Sequence, residues 1–238
     1  MILGYVISIV LTAALSGFLA WYAWRQRAVP GARAYARLAL AGCLLALLET
    51  LSALSPSPDL ALFWFRLCFT AGALTAVFWF TFALEYSGWT EWLSGRVVAG
   101  LFVIPALTQV LLWSNALHGL WVRQEAVFYR SGPFWIADIA ARIPGLGLLT
   151  HLFYALFLVL AGVALIFLTA WRIRRAWRGQ ALALAGAGFI AFIFVANTLF
   201  PILPKTDFDP FTPGMGVSVL LIALAVFRFQ FLKRAPET

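Results

Sequence analysis

Two ionisable residues stand inside apolar stretches of the sequence, where an uncompensated charge is costly. Glu49 lies in "LLALLETLSAL" and Arg66 lies in "FWFRLCFTAG". The short turn "SPSPD" joins these runs, so each residue lies roughly 9 Å from the same end of an antiparallel helix pair. The sequence therefore predicts an ion pair between Glu49 and Arg66 inside the membrane. The pair either clamps two helices together or lines a cavity for a ligand.

Other polar residues occur at the same predicted depth, near the ends of the remaining apolar runs. Each alone is an ordinary polar residue at a helix end, but their convergence at one level predicts an outward-facing pocket for a small molecule. The residues predicted to line this pocket are Glu49, Arg66, Gln109, His151, Asn197 and Asp209. Aromatic residues of the third apolar run would either suit an apolar ligand body or contact lipid and neighbouring helices: Phe63, Trp64, Phe65, Phe69, Phe78 and Trp79.

Several kinds of chemistry lack the residues that they need. A retinal protein requires a lysine in its seventh span, whereas Lys205 and Lys233 lie outside the apolar runs. A metal-dependent hydrolase requires clustered ligands, and His118 and His151 have neither HxxxH nor HExxH spacing. We therefore predict no catalytic residues, no metal, no cofactor and no enzymatic activity for this chain.

The composition indicates a multi-pass membrane protein. Of the 238 residues, 63% are hydrophobic and 11% are charged, whereas soluble domains carry about a quarter charged residues. The mean hydropathy is +0.94. Seven runs approach the length of about 20 residues that crosses a bilayer. The predicted fold is an all-α seven-transmembrane helix bundle that forms a single domain over 1–238, with spans at about 2–24, 35–55, 60–87, 97–113, 147–171, 180–200 and 212–230.

The basic residues set the predicted orientation. The net charge is +8, but the basic residues flank apolar runs rather than forming one soluble face, so no nucleic-acid partner is predicted. Most arginines lie in the connections after the first, third and fifth spans and in the C-terminal tail. By the positive-inside rule, the N-terminus is predicted outside and the C-terminus in the cytoplasm.

One connection, 114–146 between the fourth and fifth spans, is long enough to hold structure of its own. It contains "LWVRQEAVFY" and "PFWIADI", which flank the turn signal "RSG". This pattern predicts a small extracellular β-hairpin, packed as a lid over the helix ends.

Short stretches in a fixed order carry a family resemblance. They are "FTFALEYSG" at the end of the third span, "GPFWI" in the long connection, "RGQ" and "AN" at the two ends of the sixth span, "DPFTP" before the seventh, and Arg228 after it. The chain resembles the N-terminal seven-helix sensory region of bacterial membrane histidine kinases over essentially its whole length. Two departures are Ser87–Gly88, where the family has Thr-Gly, and the extra Pro210.

The resemblance implies a receptor domain of a two-component signal-transduction protein in the bacterial inner membrane. It implies a small-molecule or lipid-like ligand, a homodimer, and a cytoplasmic kinase or other effector beyond the seventh helix. A helix rearrangement would pass the signal to that effector. A small seven-helix transporter or channel is the alternative, and a structural partner subunit is a third possibility.

Overall fold

The computed structural model describes residues 2–29, 31–138, 142–173, 175–200 and 211–227. The helices are α1 (Ile2–Arg25), α2 (Ala32–Ala53), α3 (Pro58–Tyr86), α4 (Gly95–Leu101), α5 (Val103–Trp113), α6 (Asn115–His118), α7 (Leu146–Arg172), α8 (Arg175–Leu199) and α9 (Phe211–Phe227). Six helical stretches are long and apolar enough to cross a membrane when Gly95–Trp113, which contains α4 and α5, is taken as one, and a shorter apolar helix, Gly214–Ala225, lies within the predicted seventh span.

Local sequence explains where α3 begins. The Ser57 side chain accepts a hydrogen bond from the backbone N–H of Leu60, and Pro58 occupies the first helical turn. A serine N-cap followed by proline is the usual start signal, because the first N–H groups lack partners within the helix. The turn "SPSPD" therefore separates α2 from α3, as the sequence predicts.

The fourth span is interrupted in its middle. Pro105 has no N–H to donate to the carbonyl of Leu101, and the chain turns at Phe102 between α4 and α5. The Tyr154 hydroxyl of α7 donates instead to the Leu101 carbonyl at 2.7 Å. The fourth span is thus a broken helix whose exposed backbone acceptor is satisfied by its neighbour.

Six helices form a closed ring. Neighbouring pairs in contact are α1–α2, α2–α3, α3–α7, α7–α8, α8–α9 and α9–α1. The fourth span, α4 and α5, lies outside this ring against α3 and α7. A ring of six helices leaves an interior volume at its centre, which becomes the candidate site.

The predicted hairpin is present. Strand β2 (Val127–Ser131) pairs antiparallel with β3 (Phe134–Asp138), from Val127 opposite Asp138 to Ser131 opposite Phe134. Gly132 has φ 61° in the connecting turn, the positive φ that a two-residue hairpin turn requires. Two shorter strands, β1 (Val122–Gln124) and β4 (Ile143–Pro144), pair beside it. Its location outside the membrane stays a prediction.

The hairpin rests on one end of the ring, called the hairpin end below. Ile136 of β3 is buried in a cluster with Tyr5, Val6 and Ile9 of α1. The Phe128 ring of β2 meets the Phe65 ring of α3 edge to face, with centroids 5.7 Å apart. The hairpin thus fastens to the first helix and the third by apolar contacts.

Trp79 of α3 is wedged between α7 and α8. Its indole N–H donates to the Val159 carbonyl at 3.1 Å. A Cβ at Gly162 would lie 2.3 Å from Trp79 Nε1, and a Cβ at Gly188 would lie 2.2 Å from Trp79 Cζ2. Only glycine fits at both positions, since the indole ring touches the two helix backbones. Small residues give the same close approach in other membrane bundles.

Gly162→Ala should lower the melting temperature in detergent, because the new methyl group collides with the Trp79 ring. Overpacking of this kind costs about 1–3 kcal/mol. Gly100→Ala is the matched control, since its Cβ would meet open space. Equal melting temperatures for the two variants would show that the Trp79 wedge does not fix the spacing of α3, α7 and α8.

Candidate functional site

A cavity of about 170 Å³ lies inside the helix ring. All six ring helices contribute to its wall, together with Arg142 of the chain between β3 and β4. Apolar side chains make up most of the wall. A concave, mostly apolar volume with a few polar groups is the usual form of a small-molecule site.

The cavity is long and runs along the ring axis. On α2 its wall extends from Glu49 to Tyr35, and on α3 it extends from Phe65 to Trp79. Each pair is separated by about four helical turns, or roughly 21 Å. One turn further along α3, Phe82 is completely buried in the packed cluster that includes Tyr35 and Trp79. In the described part of the protein, Tyr35 and Trp79 therefore form the floor.

The opposite end, called the mouth below, lies beside the hairpin. It carries Glu49 of α2, Phe65 of α3, Arg142, His151 of α7 and the exposed Thr198 of α8. A second cavity of about 20 Å³ lies under the hairpin and shares Glu49 and Phe65 with the first. The hairpin thus borders the mouth.

His151 is held in an aromatic corner of the mouth. It is 5% exposed, and its Nδ1 lies 3.2 Å from the Thr108 hydroxyl of α5. The rings of Phe69 and Trp121 pack edge-on against it. The Arg142 guanidinium lies 5.4 Å from the centre of the Phe69 ring, a cation–π distance. Arg142 and His151 are thus positioned by the same aromatic residue.

The Glu49 carboxylate joins three helices at the mouth. It accepts hydrogen bonds from the Tyr5 hydroxyl of α1 and from the Thr212 hydroxyl of α9. Hydrogen bonds to a carboxylate are strong where little water competes. Glu49 therefore ties the first turns of α1 and α9 to the end of α2.

The predicted ion pair between Glu49 and Arg66 is wrong. Arg66 instead pairs with Glu125, which lies between β1 and β2, with Nη2 and Oε1 2.7 Å apart. The physical reason is angular. A helix turns about 100° per residue, so Arg66 faces away from the cavity that its neighbour Phe65 lines. Arg66 therefore holds the β1–β2 connection against α3.

The remaining predicted pocket residues divide into three groups. His151 lines the cavity, as Glu49 does. Gln109 is not part of the wall: it accepts a hydrogen bond from Thr70 at 2.5 Å and fastens α5 to α3. Asn197 is also absent from the wall, where the next residue, Thr198, takes part. Asp209 lies outside the described residues.

Only part of the predicted aromatic surface faces the cavity. Phe65, Phe69 and Trp79 line it. Phe63 is exposed and contacts Trp113, and the remaining two, Trp64 and Phe78, pack in other clusters. The third span therefore presents one of its faces, rather than the whole stripe, to the interior.

The sequence analysis missed most residues of the wall and the mouth, among them Tyr5, Ser16, Arg142 and Thr212. In the sequence, Arg142 is one of several charged residues in a long loop, and Tyr5 resembles the aromatic residues that are common at membrane interfaces. Neither position therefore indicates a cavity. Thr212 offered a signal, because it stands in the family stretch "DPFTP". In the described ranges, no group of three His, Cys, Asp or Glu side chains could hold a metal ion.

The helix ring defines a multi-pass membrane protein with an interior cavity. The family described as the N-terminal 7TM region of histidine kinase matches residues 8–236. The chain belongs to this family, which is the non-catalytic, transmembrane sensory region of histidine kinases. Comparison with curated proteins gives no match, and comparison with solved structures gives none either.

The family stretches meet in space at both ends of the ring. Tyr86 of "FTFALEYSG" donates a hydrogen bond to Gln180 of "RGQ" at 3.2 Å. At the hairpin end, Thr212 of "DPFTP" donates to Glu49, and Ile136 of "GPFWI" packs on α1. These stretches are therefore the contacts that hold α3 to α8, α9 to α2, and the hairpin to α1.

Glu125→Gln should loosen the strands of 122–138 without disturbing the helices, because the ion pair between Glu125 and Arg66 links this segment to α3. Amide exchange within 122–138 should rise roughly fivefold, the equivalent of about 1 kcal/mol for such a pair. Glu91→Gln, an exposed position outside this loop, is the matched control. Unchanged exchange in Glu125→Gln, or faster exchange throughout the ring helices, would contradict a local tether.

Proposed function

We propose that this chain is a ligand sensor, in which a small or lipid-like molecule binds inside the helix ring and biases the position of α9. One observation carries the proposal. Glu49 lies on the cavity wall and also accepts a hydrogen bond from Thr212 in the first turn of α9. A molecule that enters the mouth therefore meets a group that holds the last helix.

Close packing supports a coupled movement of α9. A Cβ at Gly214 would lie 2.2 Å from the Phe194 ring of α8, and a Cβ at Gly216 would lie 2.6 Å from the Thr12 hydroxyl of α1. Tightly packed surfaces favour discrete arrangements over gradual deformation. Ligand binding would select one of two such arrangements, and the far end of α9 would pass it on.

The finer parts of the proposal come from charge distribution and family relation. The arginine-rich connections argue for a cytoplasmic C-terminus, which places the hairpin and the mouth outside. A kinase or other effector would follow α9, in a bacterial inner membrane protein. Its homodimeric assembly, through the helices and the C-terminal linker, rests on the family relation alone.

A transporter or channel remains the alternative function, and it needs a polar route between both ends of the ring. Within the described ranges, the cavity has its floor at Trp79 and Tyr35, above the buried Phe82. This packing favours a sensor over a conduit.

Native mass spectrometry of the chain, released gently from detergent, tests the sensor proposal. Gly72 lines the cavity and a Cβ there would meet open space, so the Gly72→Leu side chain should occupy part of the cavity. Gly100→Leu is the matched control away from the wall. We expect a defined bound mass in the wild type and in Gly100→Leu, and loss of most of it in Gly72→Leu.

Two results would contradict the proposal. One is equal retention in both variants, which would place the bound molecule elsewhere. The other is a wild type that carries no molecule even when it is extracted together with its surrounding lipid.

A further inference from the structure

The cavity has most room about halfway between its mouth and its floor. There, a Cβ at Gly72 of α3 would meet open space, and the atom nearest to a Cβ at Gly42 of α2 would be the Ser16 Oγ, 3.9 Å away. At the floor, a Cβ at Gly188 of α8 would lie 2.2 Å from the Trp79 ring. The free volume of about 170 Å³ is therefore concentrated around Gly42 and Gly72. An apolar cavity of about 150 Å³ holds one benzene ring, so this part has room for a single ring with small substituents.

Polar side chains reach this roomy part from two opposite helices. Gly42 and Gly72 lie at one depth, because each is roughly 10 Å from the mouth along its helix. Ser16 of α1 lies beside Gly42. His151 of α7 packs against Phe69, which is one helical turn from Gly72 along α3. In the ring, α1 and α7 are separated by two helices on either side, so Ser16 and His151 approach the cavity from opposite walls at a similar depth.

His151 brings a hydrogen-bond acceptor to the cavity wall. The Thr108 hydroxyl has one proton and donates it to the Pro105 carbonyl at 2.9 Å. His151 Nδ1 is therefore the donor in its contact of 3.2 Å with Thr108. The imidazole is neutral, since a charge on a ring that is 5% exposed and packed between Phe69 and Trp121 would be costly. Nε2 thus keeps its lone pair, and within the described ranges no group of the protein donates to it.

Ser16 supplies a second polar group on the opposite wall. Its side chain is 1% exposed and lines the cavity. Within the described part of the chain, its Oγ has no hydrogen-bond partner. A buried hydroxyl without a partner is unfavourable unless a bound molecule supplies one. Between Ser16 and His151 the wall is apolar and includes Leu45 and Ala155, so a ligand needs an apolar body between two polar ends.

The charges at the mouth favour a ligand without charge. Glu49 and Arg142 both line the mouth, so an ion of either sign would meet a like charge there. The Glu49 carboxylate is already compensated by hydrogen bonds from Tyr5 and Thr212. An ion would also lose its water among apolar side chains deeper in the cavity, which is costly without a counter-charge. An uncharged molecule meets neither penalty.

We propose that the cavity binds an uncharged, single-ring hydroxyl compound that carries a second oxygen and lies across the helix ring between α7 and α1. Its O–H donates to His151 Nε2, its apolar body occupies the space beside Gly42 and Gly72, and its second oxygen accepts a hydrogen bond from Ser16. This inference rests on the proposed function and names the ligand class of the same site.

Three probes of nearly equal size test this inference. The compound para-methoxyphenol has a hydroxyl and a second oxygen, para-ethylphenol lacks the second oxygen, and para-methylanisole lacks the hydroxyl. The purified protein is stripped of bound molecules, placed in phosphatidylcholine nanodiscs, and titrated with each probe. Nanodiscs that hold Gly72→Leu measure uptake by the lipid. We expect para-methoxyphenol to bind most tightly and each of the other two to bind several-fold to about tenfold more weakly, as the loss of one hydrogen bond allows.

Variants assign each preference to its residue. Ser16→Ala should bind para-methoxyphenol no more tightly than para-ethylphenol, and its affinity for para-ethylphenol should equal that of the wild type. His151→Phe keeps an aromatic ring but removes the acceptor, so it should lose the preference for a hydroxyl. Gly100→Leu, away from the wall, should bind all three probes as the wild type does.

Nitrogen-15 NMR examines His151 without any change at the site. His118 is the other histidine of the chain, and His118→Gln removes its signals. We expect the proton of the empty protein on Nδ1, and we expect para-ethylphenol to shift the Nε2 resonance. The probe without a hydroxyl, para-methylanisole, should leave that resonance unchanged. A proton on Nε2 in the empty protein would overturn the inference.

Three binding results would also overturn it. Equal affinities of the wild type for the three probes would remove the two hydrogen bonds. Binding of none, by a protein that retains another molecule on purification and loses it in Gly72→Leu, would reject this ligand class and leave the sensor proposal standing. Binding of none, by a protein that retains nothing even when it is extracted with its surrounding lipid, would reject both.

Discussion

A carboxylate inside a membrane bundle must be compensated by the protein, and Glu49 shows how this constraint organises the structure. Its hydrogen bonds with Tyr5 and Thr212 bring the first turns of α1 and α9 to the end of α2. These contacts lie where the helix ring closes, since α1 and α9 are neighbours. The same carboxylate forms part of the mouth, so the closure of the ring and the opening of the cavity share one group.

The depth of the cavity depends on packing rather than on polarity. Trp79 reaches across the ring between Gly162 and Gly188, and its N–H is satisfied by the Val159 carbonyl. The Trp79 indole thus separates the cavity on the hairpin side from the packed hydrophobic cluster on the other side. A sensor needs this division, because the ligand side has to yield while the other side transmits movement.

The sequence predicts where the helices and strands lie along the chain better than it predicts which side of each helix faces the interior. Long apolar runs and a turn signal sufficed for the described spans and for the hairpin, because length and strand pattern are local properties. The depth of Glu49 and of Arg66 also follows from counting residues. Their angular positions do not, and so the expected partner of Arg66 was wrong. Glu125 is distant in sequence and becomes its partner only when the loop folds back.

The candidate site shows the same limit. His151 could be predicted because a polar residue in an apolar run attracts notice, whereas Ser16 could not, since serine is common in membrane helices. A cavity arises from the closure of six helices, and closure depends on contacts such as Gly216 against Thr12. Such contacts join the first helix to the last and leave no pattern within either one.

The most direct measurement is the distance between spin labels at the far ends of α1 and α9. Trp24→Cys and Leu224→Cys provide exposed sites, in a chain with Cys43→Ala and Cys68→Ala. Distances are compared by pulsed electron paramagnetic resonance with the co-purified molecule bound and after its removal. A ligand-coupled α9 predicts a shifted distance distribution. Identical distributions, with the change in occupancy verified by mass spectrometry, would contradict the coupling of the cavity to α9.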